Sequence, residues 1–546
     1  MDKCNSPTDE FVKLNLPDSA AQPEYLFKTE ALQFPKKLNC AELLMDKNIL
    51  DGNGDRTAII TEDVRWTYQK LYEISNQIAH VLIDDFGLVT GNRVLLRTAN
   101  TPMAVACWLA VLKAGGIVIS TMALLRAPEL NTVLNKAEVR FALCDHRLKE
   151  EIQNTDTSCL MQICLFDAAG NADKGSDLEA LLQNKSTEFN AVDTKANDPA
   201  LIAFTSGTTG EPKGTVHFHR DVMAMCICAA DNLLKPNKDD IFIGSPPMAF
   251  TFGLGMLVTF PLHIGAASVL LENPDPINLM IAIEKYKATI CATAPTAYKV
   301  MLKNYSDYDI SSLTKAVSSG EHLPAQVCKE WYSKTGQKII NALGSTEMTH
   351  MFISSVGNDI RSGRIGKAID GYEVCILGDD NLPVETGSKG RLAVKGPTGC
   401  KYLDDIRQQN YVVNGWNITG DICSLDKDGY VRFESRGDDM IISSGYNIAG
   451  SEVEDALHIN DKVSACAVIG VPNEKRGSIV KAYIVLSDNN KPSDKLVLEL
   501  QNYTKQAIAP YKYPREIEFV EALPRTRTGK VQRQKLRELN KLNGTE

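Results

Sequence analysis

Residues 205 to 214, Thr-Ser-Gly-Thr-Thr-Gly-Glu-Pro-Lys-Gly, constrain this chain more than any other stretch. An apolar run from Leu201 to Phe204 leads in, and Thr215 and Val216 lead out, so the pattern predicts strand, loop, strand. Gly207, Gly210 and Gly214 let the backbone turn and approach a ligand closely. Thr205, Ser206, Thr208 and Thr209 add hydroxyls to free backbone N–H groups, and Lys213 adds a positive charge. Many donors, a permissive backbone and one cation suit a polyphosphate. The spacing is not that of a Walker A loop, G-x-x-x-x-G-K-[ST]. Taken alone, these residues also admit a solvated turn.

A chain of 546 residues exceeds one ordinary core, so two or more domains are expected. The formal net charge of -9 leaves no basic excess to neutralise phosphodiesters, which argues against nucleic acid as a partner. The 14 cysteines are scattered without paired metal-ligand spacing, so a zinc site is not expected and a reducing cytoplasm is. Met1 to Asn5 shows no apolar secretory segment. From Ile241 to Leu271 there is no Asp, Glu, Lys or Arg. Pro246, Pro247, Pro261, His263 and several glycines interrupt that run, which reads as buried strand, ligand-lining loop and core helix. No membrane span is expected.

Residues 1 to 56 read as an irregular lead-in. Arg65 to Tyr68 then opens a helix with Leu71, Ile74, Ile78, Val81 and Leu82 at helical spacing. Val94 to Leu96 reads as a strand, Met103 to Ala114 as a helix, and Ile117 to Ile119 as a strand. A helix near Glu129 to Lys136 and the strand Phe141 to Leu143 continue the rhythm. Such alternation with near-continuous apolar strands implies parallel sheets covered on both faces. Trp108 and Met103 fit its core. Thr289 to Thr293 and Val317 to Glu321 read as strand ends, where ligands collect in open α/β sheets. Residues 364 to 435 show short alternating strands, a β-rich subdomain. Further on, helices are expected from a cap near Ser451 and from Ser493. Ser435 to Ile441 reads, on composition, as a charged linker.

The string 205–214 resembles the phosphate-binding signature of the AMP-forming adenylating enzymes: acyl-CoA synthetases, luciferases and peptide-synthetase adenylation domains. Four more strings match in order: Ala316 to Pro324, Asn341 to Glu347, Trp416 to Asp421 with Ser435 to Ile441, and Leu523 to Lys530. The resemblance covers essentially the whole chain. It implies an α/β fold: a large domain, residues 1–437, of two α/β-covered sheets plus the β-rich subdomain, and a small mobile α+β domain, residues 438–546. It implies ATP, Mg2+, coenzyme A and a small carboxylic acid as cofactors and partners.

The resemblance assigns roles residue by residue. Thr205 to Gly210 and Lys213 would cradle phosphates, with Ser319, Gly320, Glu321, Gly344 and Ser345 around the nucleotide. Thr346 would bond the α-phosphate and Glu347 would hold magnesium, since a carboxylate near a triphosphate is repulsive without a divalent cation. Asp421 would accept both ribose hydroxyls, and Arg436 would contact ribose or phosphate. Asp438 would be the hinge. Lys530 would bridge carboxylate and ATP. Ser444, Gly445, Tyr446 and Arg476 would meet coenzyme A. Phe250, Phe252, Gly253, Leu343 and His350 would line the acyl pocket, although the two phenylalanines also suit plain core. Leu343 stands where an aromatic residue usually stacks on adenine, so an aliphatic face would serve there. His219 matches the histidine closing the loop motif, and a capping or core role suits it equally.

Three strings look especially like 2-aminobenzoate–CoA ligase and its benzoate and alicyclic relatives: Gly91 to Arg97, Gly344 to Phe352, and Gly396 to Leu403. They imply an aromatic or alicyclic acid, with a medium-chain fatty acid as the alternative. An amino-acid adenylating enzyme would carry an aspartate in Met248 to Gly253, and none is there. A luciferase-type oxygenase shares the motifs. A non-catalytic binding protein would be free to lose Lys213, Glu347 or Lys530, all of which are present. Oligomeric state is left open by the sequence, a homodimer included.

Overall fold

A computed structural model describes residues 8–543 apart from 157, 172–175, 206–211, 444–445, 474–476, 489, 509 and 527–528. Among the described residues the large domain is built on two α/β sheets. One has nine strands, with Thr57–Ile60, Ala267–Val269, Ile241–Gly244, Ile290–Thr293, Lys315–Ser318 and Ile339–Gly344 running parallel as neighbours. Arg65–Thr67 closes one edge antiparallel, and Met351–Ser354 and Lys367–Ala368 close the other. The second sheet has six, in the order Gln162–Phe166, Phe141–Asp145, Arg93–Thr98, Ile117–Met122, Pro199–Thr205 and Lys213–Phe218. Only its last strand is antiparallel, because it returns directly from the loop after Thr205.

The parallel sheets expected from the sequence are thus present, with antiparallel strands closing their edges. A hairpin needs only a short loop, whereas a parallel pair needs a crossover. Two local expectations also shift. Arg65–Thr67 is a strand, and the helix Tyr68–His80 begins after it, with the Thr67 hydroxyl accepting from Lys70 N at 3.1 Å. Ser451 does not cap its helix: Ala449 stands at that position, and Ser451 Oγ donates to the Glu434 carbonyl.

The helix Pro102–Lys113 has every residue buried. Pro102 at its start lacks the N–H a helix leaves orphaned, and Thr101 caps it. An all-round apolar helix belongs inside a core. Trp108 lies there in one continuous cluster with strand residues of both sheets, among them Val94, Val118, Phe242 and Val317. On the opposite face of the larger sheet, Trp331 meets Tyr298 edge to face at 4.9 Å, and Tyr298 Oη donates to the Cys291 and Val317 carbonyls.

The β-rich subdomain is an antiparallel sheet of Glu373–Leu377, Lys389–Lys395, Trp416–Leu425, Val412–Val413 and Val431–Arg436. A separate C-terminal domain follows, in which the hairpin Val463–Asn473 and Gly477–Leu486 is flanked by Met440–Ser443, Tyr446–Ala449 and Glu516–Phe519. Gly450–His458 and Asp494–Ala507 cover one face. Ser493 Oγ caps the latter helix as its sequence predicts. Among the described residues no helix is long and apolar enough to cross a membrane.

Candidate active site

The carboxyl ends of the parallel strands open onto one cleft, the place the topology of open α/β sheets provides for a ligand. Lys315–Ser318 delivers Ser319 and Gly320 there, and Ile339–Gly344 delivers Gly344 and Ser345. Ser319 Oγ donates to the Ala342 carbonyl at 2.9 Å, tying the two strand ends together. Gly320 has φ +89°, a conformation open to glycine. Ser345 caps the short turn Thr346–Met348 through Met348 N, so Thr346 and Glu347 are presented on a fixed turn.

Lys213 opens its strand directly opposite Thr205, which brings the two ends of the glycine–threonine loop into register. Ser206, Gly207, Thr208, Thr209 and Gly210 lie outside the described residues. Lys213 is joined to the Thr-Glu turn by Tyr402, which is 1% exposed. Tyr402 Oη donates to Glu347 Oε1 at 2.6 Å, while Lys213 Nζ donates to the same phenol oxygen at 3.4 Å and lies 5.0 Å from the ring centre. Tyr411 packs edge to face on Tyr402 and reaches Ser345 Oγ at 3.4 Å. Burial and the Glu347 charge raise the Tyr402 pKa far beyond the ordinary phenol range, so it stays a donor.

His217 is a second brace. Its Nε2 lies 2.7 Å from the Thr346 carbonyl and its Nδ1 3.0 Å from Thr349 Oγ1. Thr349 has φ +69°, an uncommon angle for a residue with a branched Cβ, held by these contacts. His219 is elsewhere. It is fully buried, its Nδ1 sits 3.1 Å from Cys40 Sγ, and burial lowers its pKa to about 4. Of the two roles its motif position left open, the core is the one observed.

Asp421 and Arg436 stand on adjacent strands of the β-rich sheet, with Arg436 Nη1 2.8 Å from Asp421 Oδ1. Burial raises the Asp421 pKa, while the Arg436 guanidinium, the Thr419 hydroxyl and the Lys530 charge restrain the rise. Lys530 comes from the C-terminal domain, and Thr526 N donates to its carbonyl at 2.7 Å. Its Cε lies 4.0 Å from the point a Gly320 side chain would occupy. Lys530 as a residue is exposed, yet the protein around its amino group strips part of its hydration. Desolvation and the Arg436 charge lower its pKa, and Glu321, Asp421 and Glu347 pull the other way. Residues from the two α/β sheets, the β-rich sheet and the small domain thus act on one another across this cleft.

The acyl-pocket candidates separate into two groups. His350 is buried beside the end of the strand Ile339–Gly344: a side chain on Gly344 would come within 2.6 Å of the His350 carbonyl, and one on Gly255 would collide with its ring. Its Nε2 lies 3.3 Å from the Phe252 carbonyl, and its ring contacts Phe252 at 5.4 Å and Phe260 at 4.7 Å. Burial lowers its pKa to about 4, so the ring is neutral near pH 7. A side chain on Gly253 would meet the Pro246 and Pro247 carbonyls, so glycine is required there for backbone packing. Leu343 is half-buried against the central core. Phe250 instead lines a small cavity with Trp108, Ser120 and Leu201. Ser444, Gly445 and Arg476 lie outside the described residues, as do the side chains of Asp438 and Tyr446.

A profile of the AMP-binding enzyme family matches residues 47–401, and one of its C-terminal domain matches residues 452–530. The chain belongs to the AMP-binding enzyme family. Within that family it is 34% identical over 94% of its length to the uncharacterised acyl–CoA ligase YtcI of Bacillus subtilis, covering 98% of that protein. It is 32% identical over 93% of its length to a benzoate–CoA ligase of Thauera aromatica, covering 97% of that protein. The crystal structure of the anthranilate CoA ligase AuaEII in complex with anthranoyl-AMP superposes with a TM-score of 0.89. That match, at 31% identity, covers 95% of this chain and all of that one. The chain is an AMP-forming acid–thiol ligase.

Tyr402, Tyr411 and His217 escaped the sequence reading. Tyr402 stood inside the string Gly396 to Leu403, a signal of kinship that carried no hint of a contact with a residue 55 positions away.

Proposed function

We propose that this ligase joins an aromatic carboxylic acid of the benzoate or 2-aminobenzoate type to coenzyme A at the expense of ATP. The observation carrying the acid class is the buried His350 ring packed against Phe252 and Phe260 beside Gly344, which we read as a flat wall next to the Thr346–Met348 turn. The likeness to benzoate and anthranilate ligases supports it.

The reaction divides in two. A carboxylate oxygen attacks the α-phosphorus of ATP, forming the acyl-adenylate and releasing pyrophosphate. The thiol of coenzyme A then attacks the acyl carbon, losing its proton, and AMP departs with the electron pair. The first step gathers negative charge, so positioned cations do most of the work. Lys213 and Lys530 approach from opposite domains, Thr205 to Gly210 supply donors, and Ser319 to Glu321 with Gly344 and Ser345 bound the nucleotide. Thr346 meets the α-phosphate, and Asp421 and Arg436 hold ribose. The donor set fits a magnesium ion shared with phosphates: among the described residues Glu347 has one oxygen taken by Tyr402 and no hydrogen-bond partner on the other, and no cluster of three His, Cys, Asp or Glu ligands exists. Magnesium would supply charge neutralisation there.

We read the placement of Lys530 near Gly320 as an adenylate-forming orientation. We further propose that residues 438–546 turn about Asp438, withdrawing Lys530 and bringing Ser444, Gly445, Tyr446 and Arg476 to coenzyme A. A pyrophosphate-release panel of benzoate, 2-aminobenzoate, cyclohexane carboxylate and octanoate, with and without coenzyme A, tests the reading. Fastest release with the two aromatic acids is expected, and preference for octanoate would refute the acid class.

A further inference from the structure

The small domain also touches the large one beside the nucleotide cleft. His322, two residues after the Gly320 that Lys530 packs against, sits in the loop following Lys315–Ser318. Its Nε2 lies 3.1 Å and 2.9 Å from the two carboxylate oxygens of Asp455, on the helix Gly450–His458. The imidazole also stacks on Phe433, with centroids 6.1 Å apart and planes 29° from parallel. Two nearby crossings end on backbone: Lys299 Nζ donates to the Ser464 carbonyl at 2.7 Å, and Ser451 Oγ to that of Glu434 at 2.6 Å. Arg525 and Glu321 approach more distantly, at 4.0 Å. Of these four crossings only His322–Asp455 joins a histidine to a carboxylate, and histidine ordinarily titrates near neutrality. His458, on the same helix as Asp455, faces the Lys299 charge, but burial first and that charge second lower its pKa.

We propose that His322 and Asp455 are positioning residues for adenylate formation: their ion pair latches the small domain where it holds Lys530 in the cleft, and its release frees that domain for thioester formation. This rests on the two-step reaction proposed above.

The charged groups facing His322 are Asp455 and Glu454 on the helix Gly450–His458 and Arg533 on the C-terminal helix. Desolvation disfavours the imidazolium. The hydrogen bonds and charge of Asp455, with Glu454 behind it, outweigh desolvation and the Arg533 charge, so the balance raises the ring's pKa. The latch is therefore at full strength below the ordinary histidine value and is lost as pH rises through the raised one. Because the two side chains are 34% and 39% exposed, solvent screens the pair, and its effect on the orientation equilibrium is about twofold to fivefold.

The test uses the full chain and measures each half-reaction separately: pyrophosphate release with the best acid of the panel, and thioester formation from its supplied acyl-adenylate with coenzyme A. At pH 6, Asp455→Asn and His322→Gln are expected to slow adenylate formation by about twofold to fivefold without slowing thioester formation. At pH 9 wild type and variants should converge, and 1 M salt at pH 6 should reproduce the loss in wild type alone. Equal slowing of both halves at every pH, or no slowing at pH 6, overturns the proposal. An independent reading comes from titrating His322 by nuclear magnetic resonance with ring-labelled histidine. A pKa above the ordinary value that falls in Asp455→Asn is expected, and an unchanged value overturns the latch. A protein that releases no pyrophosphate with any acid refutes the reaction instead, while the titration still decides the contact.

Discussion

Replacing Tyr402 by phenylalanine removes one atom of the proposed adenylation machinery. The ring remains, so its packing on Tyr411 and its face toward Lys213 are retained; the hydroxyl is lost, with its 2.6 Å donation to Glu347 and the longer 3.4 Å contact it accepts from Lys213. A hydrogen bond to an ionised group contributes about 1.5–3 kcal/mol. The 2.6 Å contact from a buried phenol belongs in that class. If the bond matters only while Glu347 faces the triphosphate, its loss lowers kcat/KM for adenylate formation by about tenfold to about a hundredfold. Glu347 is half-buried and can recruit water as a substitute, which favours the lower figure. The assay is pyrophosphate release at varied ATP and magnesium, set beside thioester formation from supplied acyl-adenylate. Loss confined to the first half is expected. Unchanged pyrophosphate release, or equal loss in both halves, would refute the idea that Tyr402 acts by orienting Glu347.

Lys530→Ala should abolish adenylate formation and spare thioester formation from supplied adenylate. In wild type the first half should also decline as pH rises through the lowered pKa of Lys530, which loses its charge below the usual lysine range; a flat alkaline limb would argue against that role. Arg436→Ala removes a restraint on the already raised Asp421 pKa, so nucleotide affinity should weaken, and its fall toward acid should move to higher pH; titration calorimetry between pH 5 and 8 checks this. His350→Ala opens the ring-shaped wall and should lower the benzoate-to-octanoate ratio of kcat/KM by about tenfold. Wild-type selectivity should be constant from pH 6 to 8, because His350 is already neutral there. Trp331→Ala, far from the cleft chemistry, should cost about 3–5 kcal/mol of stability through the cavity it leaves, read as a lower denaturation midpoint with kcat retained.

The sequence by itself determined what depends on neighbouring residues. The strands on either side of residues 206–211 and the one ending at Ser318 are local apolar runs, and their strings announce them. The helix from Ser493 is local too, since its cap and first turn lie within four residues. Buried helix and strand runs are equally local, which is why the alternation of the large domain was legible. Tertiary structure decided whatever requires two distant segments to meet. It brought Tyr402 to Glu347, His217 to the Thr346 carbonyl, and Lys530 to Gly320. It also assigned Phe252 and Phe250 to different surroundings, although two residues apart they share one apolar signal. A side chain's partner depends on how sheets pack across the cleft, and no periodicity in one segment encodes the position of the other.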